Sequence, residues 1–512
     1  EAMQLLAFDR AARLLGRAAS LASVDTRGEL SLRLAQALVA AGRGAEAADV
    51  ALPAAEGRTD HDARELPRLA AEGLLQAGRV DKAMEVYRCV ADDEAIRLPS
   101  GRVNTVLSLL AARASLRMRS LEPRGGNDEA QRRRIGVLSN LSSVLVLIDP
   151  LSGALVHSRR LALALDHGSE QQVAVALAVE GAMRASTGDR VRGKQITDDA
   201  VTRAAATGDA YAMATSLYAR GIVAYTEWRL TDTERDLHAS EALMLGSNVA
   251  GSWELTTGRL FRYFAAIAGG RYRSALHDLA EHREDARRRR DMYGTAVLGT
   301  ACAAFQQLAL DQPAEAHRAL DTALEGWPEE PFLLPHLLYG VTRAAVMHYE
   351  RRFDEAYALV RSSQASAKRA GLLRHHINRA RVDQLMGSCA ARVGDLRAAK
   401  RHALALVNHP AGGMAPAGRM ILGGMAAEAG DLEAARRELR AAVDALSATE
   451  FASWRAAACT ALALLVDPGE AAELRAIAEQ WVTAEGIVAP HRLYGLFVPW
   501  SRFDAPADEE MP

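Results

Sequence analysis

The sequence predicts an all-α fold, a right-handed superhelical solenoid of helix pairs with a repeat of about 40 residues. Two observations carry that expectation. Ala, Leu and Arg recur throughout, while aromatic residues make up only 5% of the 512 positions, a balance that favours helix over strand. A short phrase also returns along the chain: a turn residue, a charged or polar residue, usually an apolar one, two variable positions, then a small residue. It reads Gly42-Arg43-Gly44-Ala45-Glu46-Ala47, Gly78-Arg79-Val80-Asp81-Lys82-Ala83 and Gly270-Arg271-Tyr272-Arg273-Ser274-Ala275. Gly394-Asp395-Leu396-Arg397-Ala398-Ala399 and Gly430-Asp431-Leu432-Glu433-Ala434-Ala435 repeat it, with looser copies at Trp228, Asp311 and Arg351. From Gly188 onward the anchors 188, 228, 270, 311, 352, 394 and 430 lie roughly 40 residues apart, the trace that stacked helix pairs leave.

Each part of the phrase has a physical task. Gly or a short polar residue ends one helix and lets the chain reverse. The apolar residue packs into the turn, and the following Ala lets two helices approach closely. In order, residues 1–120 are expected to form N-terminal helical repeats, with Val80, Ala83, Tyr87 and Val90 on one face. Residues 121–135 are expected to be a loop or linker, because Leu121-Glu122-Pro123-Arg124-Gly125-Gly126-Asn127-Asp128 gathers Pro, paired Gly and charge. The main helical-repeat array is expected over 136–466. The phrase is lost between Gly78 and Gly188, where Asp149-Pro150-Leu151-Ser152-Gly153 is a divergent turn. It is clearest near the end, where Leu432, Ala435, Leu439, Ala442, Val443 and Leu446 share a face. A C-terminal capping helix and turn are expected over 467–500, and a disordered acidic tail over 501–512.

Composition removes several function classes. Lys plus Arg is 62 against Asp plus Glu 64, a formal charge of -2, which offers no global field for a nucleic acid or an anionic membrane. The apolar stretch from Val137 to Ile148 is only about 12 residues, short of a membrane span. Four cysteines stand far apart without a CxxC pair, which excludes a disulfide scaffold and fits a reducing cytoplasm. No signal peptide is legible, and a chain opening on Glu1 is expected to be a piece of something longer.

The motifs that could carry chemistry have plainer explanations. Gly188-Asp189-Arg190-Val191-Arg192-Gly193-Lys194 opens like a phosphate loop, but Gln195 stands where Ser or Thr must ligate magnesium. It falls in register with the repeats and reads as a repeat turn. Among 14 histidines there is no HExxH, and adjacent His375 and His376 cannot chelate as an i, i+4 pair, so no metal is expected and the histidines are expected at or near the surface. The cysteines sit in apolar contexts such as Ala301-Cys302-Ala303 and read as core thiols. Arg287 to Arg290 are flanked by Glu281, Glu284, Asp285 and Asp291, the pattern of a solvated helix face. Protein-kinase signatures are absent, and neither a catalytic residue nor a cofactor is expected. Trp253, Arg259, Arg262 and Tyr263 are the candidate binding residues, because aromatics with arginines on one helix are typical of a binding groove. The competing expectation is that Trp253, Leu260 and Phe264 are core of a helix pair.

Leu6-Ala7-Phe8-Asp9-Arg10-Ala11-Ala12-Arg13-Leu14 resembles the start of the tetratricopeptide (TPR)-like C-terminal region of large bacterial signalling proteins. In those proteins a serine/threonine kinase domain precedes a signal-transduction (STAND-type) ATPase domain. The similarity continues through Leu98-Pro99, Asp149-Pro150-Leu151-Ser152-Gly153-Ala154 and Trp253-Glu254-Leu255 to Trp481-Val482-Thr483-Ala484-Glu485-Gly486-Ile487-Val488-Ala489-Pro490-His491-Arg492. The family often has a Pro-Gly pair where this chain has Pro499-Trp500. The resemblance implies a non-catalytic, cytoplasmic sensor arm with its kinase and ATPase domains upstream in the same polypeptide. The partner it implies is a protein, a peptide or a small-molecule effector, with no nucleic acid and no membrane. The sensor array of an ATPase-type transcriptional regulator and a free-standing TPR scaffold are the alternatives.

Overall fold

The computed structural model describes residues 8–58, 60–93, 96, 101–126, 128–246, 252–288, 290–410 and 413–504. Every regular element among them is helical. The first helices are α1 (Phe8–Leu21), α2 (Val24–Ala40), α3 (Gly44–Ala55), α4 (His61–Gln76), α5 (Val80–Asp93) and α6 (Arg102–Arg117). Next come α7 (Glu129–Ile148), α8 (Pro150–His167), α9 (Glu170–Ser186), α10 (Arg190–Thr207), α11 (Ala210–Thr226) and α12 (Leu230–Gly246). Then follow α13 (Ser252–Ala268), α14 (Tyr272–Arg288) and α15 (Met292–Leu298), which runs through a π turn at Gly299–Ala303 into α16 (Ala304–Ala309). The chain continues with α17 (Pro313–Ala323), α18 (Leu334–Tyr349), α19 (Phe353–Arg369), α20 (His376–Arg392) and α21 (Leu396–Val407). It closes with α22 (Ala415–Glu428), α23 (Leu432–Ser447), α24 (Ala452–Ala463), α25 (Pro468–Glu485) and α26 (Pro490–Gly495).

The repeated phrase is the turn inside each pair. Its first residue is left-handed at Gly42, Gly78, Gly188, Gly270, Gly394 and Gly430, but also at Trp228 (φ 61°), Asp311 (φ 52°) and Arg351 (φ 66°), where a side chain carries the strain. The Asp after Gly394 and Gly430 caps the second helix, Asp395 accepting from the Ala398 amide and Asp431 from the Ala434 amide. The two helices of a pair differ in burial. In α9 every residue from Val173 to Ala178 is buried, whereas α23 buries only the stripe Ala435, Leu439, Ala442 and Leu446. A helix apolar all round belongs inside and an amphipathic one outside. Consecutive inner helices accordingly touch, α9 with α11, α11 with α13, α13 with α15, and α18 with α20 and then α22. This is a superhelical solenoid of helix pairs.

The Gly188 segment is such a turn. It follows α9, not a strand, and Lys194 bonds Asp198 at 2.6 Å. A Cβ on Gly193 would meet the Gly181 carbonyl oxygen at 2.7 Å, and the reverse holds for Gly181, so α9 and α10 cross backbone to backbone.

The coil is wound tightly enough for one turn to rest on the next. Arg190 donates to the Pro410 carbonyl (2.5 Å), the Thr231 amide to Glu450 (2.7 Å), the Arg273 amide to Glu485 (2.7 Å) and the Trp481 indole to the Gly270 carbonyl (2.9 Å). These partners lie 220, 219, 212 and 211 residues apart, so a full turn takes about five repeats. Trp228 packs at a tilt against Phe451, ring centroids 5.5 Å apart, and Arg381 of α20 lies 3.8 Å over Phe264 of α13. One apolar core from Tyr225 to Phe503 spans both turns.

Some segments depart from expectation. α7 begins at Glu129, inside the stretch 121–135, because Asp128 caps it through the Ala130 and Gln131 amides. α7 and α8 pair without the phrase, with Asp149 capping α8. Ser501–Asp504 is a 3-10 turn in which Phe503 is buried and Asp504 pairs with Arg392, so the tail is ordered to 504. Residues 505–512 lie outside the described residues.

Candidate functional site

Three of the sequence-derived residues of α13, Arg259, Arg262 and Tyr263, are taken up by packing against neighbouring helices. Arg259 is buried and pairs with Glu241 of α12 (2.7 Å) and Asp285 of α14 (3.2 Å). Arg262 shares Glu241 and reaches Asp278 of α14 at 3.5 Å. Tyr263 is buried with its hydroxyl 2.5 Å from His282 Nδ1. Burial, then Arg259, pushes His282 down to about 4, so the ring is neutral at pH 7 and shares one hydrogen bond with the phenol. These three residues bolt an inner helix to its outer neighbours. The side chain of Trp253 lies outside the described residues.

Other candidates are also absorbed by packing. Cys302, Cys389 and Cys459 are buried, and burial raises Cys302 to about 12 and Cys459 to about 11. Cys89 differs, being exposed on α5. His157, His348, His376 and His402, on helices, and His409, in the loop after α21, are buried, not superficial, because neighbouring elements cover them. Among the described residues no group of three or more His, Cys, Asp and Glu side chains could hold a metal ion. No described helix is long and apolar enough to cross a membrane.

The charged residues inside the first turn are different. Arg160, on α8, is 2% exposed, has no ion pair among the described residues, and leaves Nε without an acceptor there. Burial pushes it down to about 10, opposed by Tyr211 of α11 and Glu254 of α13. Glu254 is raised to about 7, by burial first and then by Glu72 of α4, while Arg68 and Arg160 pull the other way. Arg68 and Glu72, one helical turn apart, pair at 3.5 Å, and Arg68 also holds Glu65 at 2.8 Å. Tyr211 and Tyr218, two turns apart, put two phenols on one face of α11, both raised by burial. Four elements, α4, α8, α11 and α13, thus carry groups whose charges act on one another, and among the described residues neither Arg160 nor Glu254 has an ion-pair partner.

The neighbouring cluster sets the contrast. Glu180 of α9 is fully buried, yet it accepts from both Arg113 (2.7 Å) and Arg184 (2.6 Å), with His157 Nε2 at 3.3 Å. Burial alone would raise its pKa, but His157 and the two guanidiniums hold it at about 2. Glu180 is a satisfied structural anion; Arg160, one turn beyond His157 on the same helix, has no anion paired with it among the described residues.

A third feature lies on the outside. A polar cleft of about 530 Å³ between α19, α20 and α21 is lined by Tyr357, Arg361, Asp395, Arg397 and Arg401, with Tyr357 donating to Asp395 at 2.8 Å.

No family model matches this chain, and no curated protein does. A Rap protein complexed with competence and sporulation factor is similar at 13% identity over 80% of this chain and 99% of that one, with a TM-score of 0.45. The Cut9–Hcn1 hetero-tetramer of APC/C is similar at 13% identity over 96% of this chain and 85% of that one, with a TM-score of 0.43. At these values the assignment of the fold rests on the helix pairing itself.

Proposed function

We propose that this chain is a non-catalytic recognition array that takes up a ligand at Arg160 of its first turn. The observation that carries this is the bare guanidinium of Arg160. Burying a cation without a partner costs several kcal/mol in general, and a site that selectively binds an anionic group gives that cost a use. The stacked turns supply a route for a response, because α12 and the start of α14 with its preceding turn rest on the α23–α24 turn and on α25 through directed hydrogen bonds. A ligand that binds one winding of the coil better than another shifts the balance between them.

The test is a thermal-unfolding screen of the purified chain against a peptide library and a library of small soluble metabolites, with Arg160→Met beside it. The expected result is at least one ligand that raises the wild-type Tm and leaves the variant unmoved. If no ligand does so, or all stabilising ligands act equally on both proteins, the reading fails.

We assign the array to a signalling protein, as the sensor arm of a serine/threonine kinase–ATPase fusion. The support is the resemblance at Leu6–Leu14, Asp149–Ala154 and Trp481–Arg492. An upstream reading frame encoding a kinase glycine-rich loop and catalytic loop, then an intact phosphate loop, is the expected finding. A nucleotide-binding domain without kinase signatures would favour a transcriptional regulator instead, and a frame with neither would favour a free-standing scaffold.

A further inference from the structure

We propose that the outer cleft between α19, α20 and α21 is a docking site for a phosphorylated side chain of another protein, with the phosphate monoester held by Arg361, Arg397 and Arg401. It is a different site from the one at Arg160 and does not depend on it.

The cleft encloses about 530 Å³, and its charged walls are Arg361 of α19, Arg397 and Arg401 of α21, and Asp395, which caps α21. The carboxylate is already engaged. One of its oxygens accepts from the Ala398 amide (3.0 Å) and the other from the Tyr357 hydroxyl (2.8 Å). Arg361 lies over the Tyr357 ring, 5.4 Å from its centroid, and Arg401 gives one amino group to His402 Nε2 at 3.3 Å. Those contacts orient the two guanidiniums without neutralising them, and among the described residues none of the three arginines has an ion pair. Arginines of the neighbouring pairs do have one, Arg352 with Glu350 and Glu355, and Arg440 with Glu470. Three guanidiniums against one carboxylate leave two positive charges in excess.

A second observation is independent of the cavity. Three residues after the turn residue the phrase enters the first turn of its helix, where the dipole favours an acid. The pairs on either side follow that rule, with Asp354 after Arg351 and Glu433 after Gly430. α21 places Arg397 there and has no acid in its first turn. The dipole opposes Arg397 and adds positive potential to the cleft that Arg397 lines. A residue that breaks the local rule beside two other unpaired guanidiniums marks a place where an anion belongs.

The excess charge matches a phosphate monoester, which carries about −1.5 to −2 at pH 7 and offers three acceptor oxygens. Guanidinium forks fit those oxygens in bidentate pairs. A single carboxylate would leave one positive charge unmatched. The cleft is open and polar, with Met386 and Ala398 as its aliphatic residues. A free metabolite would keep most of its surface in water there, whereas small-molecule pockets enclose their ligands in apolar walls. A phosphate projecting from a protein needs only its own group enclosed, and the exposed outer residues of α19 and α21 can receive the flanking chain.

A degenerate array of peptides with a central phosphoserine tests this with the full chain. The strongest peptide is taken to calorimetry beside its serine and glutamate forms, inorganic phosphate and adenosine monophosphate. It is expected to bind about tenfold or more tighter than each of those four, the scale of one charge-assisted contact or more. Arg361→Ala and Arg401→Ala should each weaken it about tenfold, and added salt should weaken it further. Arg397→Glu restores the acid that α19 and α23 carry, so it should keep or raise the Tm while abolishing binding, which separates recognition from folding. Arg437→Ala, at the register of Arg401 on α23, should leave binding unchanged. Serine or glutamate forms binding as tightly as the phosphopeptide would overturn the proposal. So would phosphate or adenosine monophosphate matching it, binding that survives Arg397→Glu, or an array on which no phosphopeptide is held.

Discussion

Replacing Arg160 with Met should make the empty protein more stable. The guanidinium is 2% exposed, has no ion pair and an unsatisfied Nε among the described residues, and is pushed from 12.5 to about 10 by burial. At about 1.4 kcal/mol per pKa unit, the charged form costs the fold about 3 kcal/mol. The folded pKa lies below the unfolded one, so the cost is present at every pH below about 10 and is flat across the neutral range. Met keeps the length and apolar body of the side chain, and imperfect repacking takes back up to about 1.5 kcal/mol. The net expectation is a gain of about 1–3 kcal/mol. Urea and thermal unfolding followed by far-ultraviolet circular dichroism, at about pH 6 and about pH 9, should give the same gain at both. If Arg160 were one half of a satisfied buried pair, removing it would instead cost about 3–5 kcal/mol. A loss of that size would refute the premise of the site.

Further outcomes follow from other residues. Glu254 is raised from 4.5 to about 7, so the native state binds more protons than the unfolded chain between those values and stability falls as pH rises through them. Glu254→Gln should therefore be neutral near pH 4.5 and stabilising above pH 7, by at most about 3 kcal/mol because the side chain keeps some contact with water. Paired melts at the two pH values test this. His348 and His376 are lowered to about 3, His282 and His375 to about 4, all first by burial. Their contribution is intact above 6.5 and is lost on acidification toward pH 4, each by up to about 1.4 kcal/mol per pH unit, which an acid titration followed by circular dichroism should show as early, steep unfolding. Trp481→Phe leaves the Gly270 carbonyl without its donor, at a cost of about 1–3 kcal/mol. Hydrogen exchange should rise at both the α13–α14 turn and α25.

The pairing of helices was legible because its signal is local. Gly394-Asp395 and Gly430-Asp431 each supply a left-handed stop and a side-chain cap within two residues. Trp228 and Arg351 were harder, since nothing in a Trp or Arg announces a positive φ, yet the spacing found them. Arg259, Arg262 and Tyr263 were placed on the right helix, but the partners that hold them were not legible. Their carboxylate partners Glu241, Asp278 and Asp285 stand 16 to 26 residues away on flanking helices, at separations a repeat register could have exposed. Arg160 was not legible at all. In Ser158-Arg159-Arg160-Leu161 two arginines look alike, and only the convergence of α4, α11 and α13 around α8 separates a buried cation from its half-buried neighbour.

Repeat proteins are ordinarily one-dimensional: each unit knows only its neighbours, so units can be added or deleted like links in a chain. A coil that rests on itself every 211 to 220 residues is closer to a cylinder with a fixed circumference. Deleting one pair between Arg190 and Pro410 would shift every later anchor by a repeat, bringing the wrong turn beneath Trp228, Gly270 and Arg190 at once. The number of repeats in the first turn is therefore itself a structural parameter of this protein, and length variation is confined to the ends.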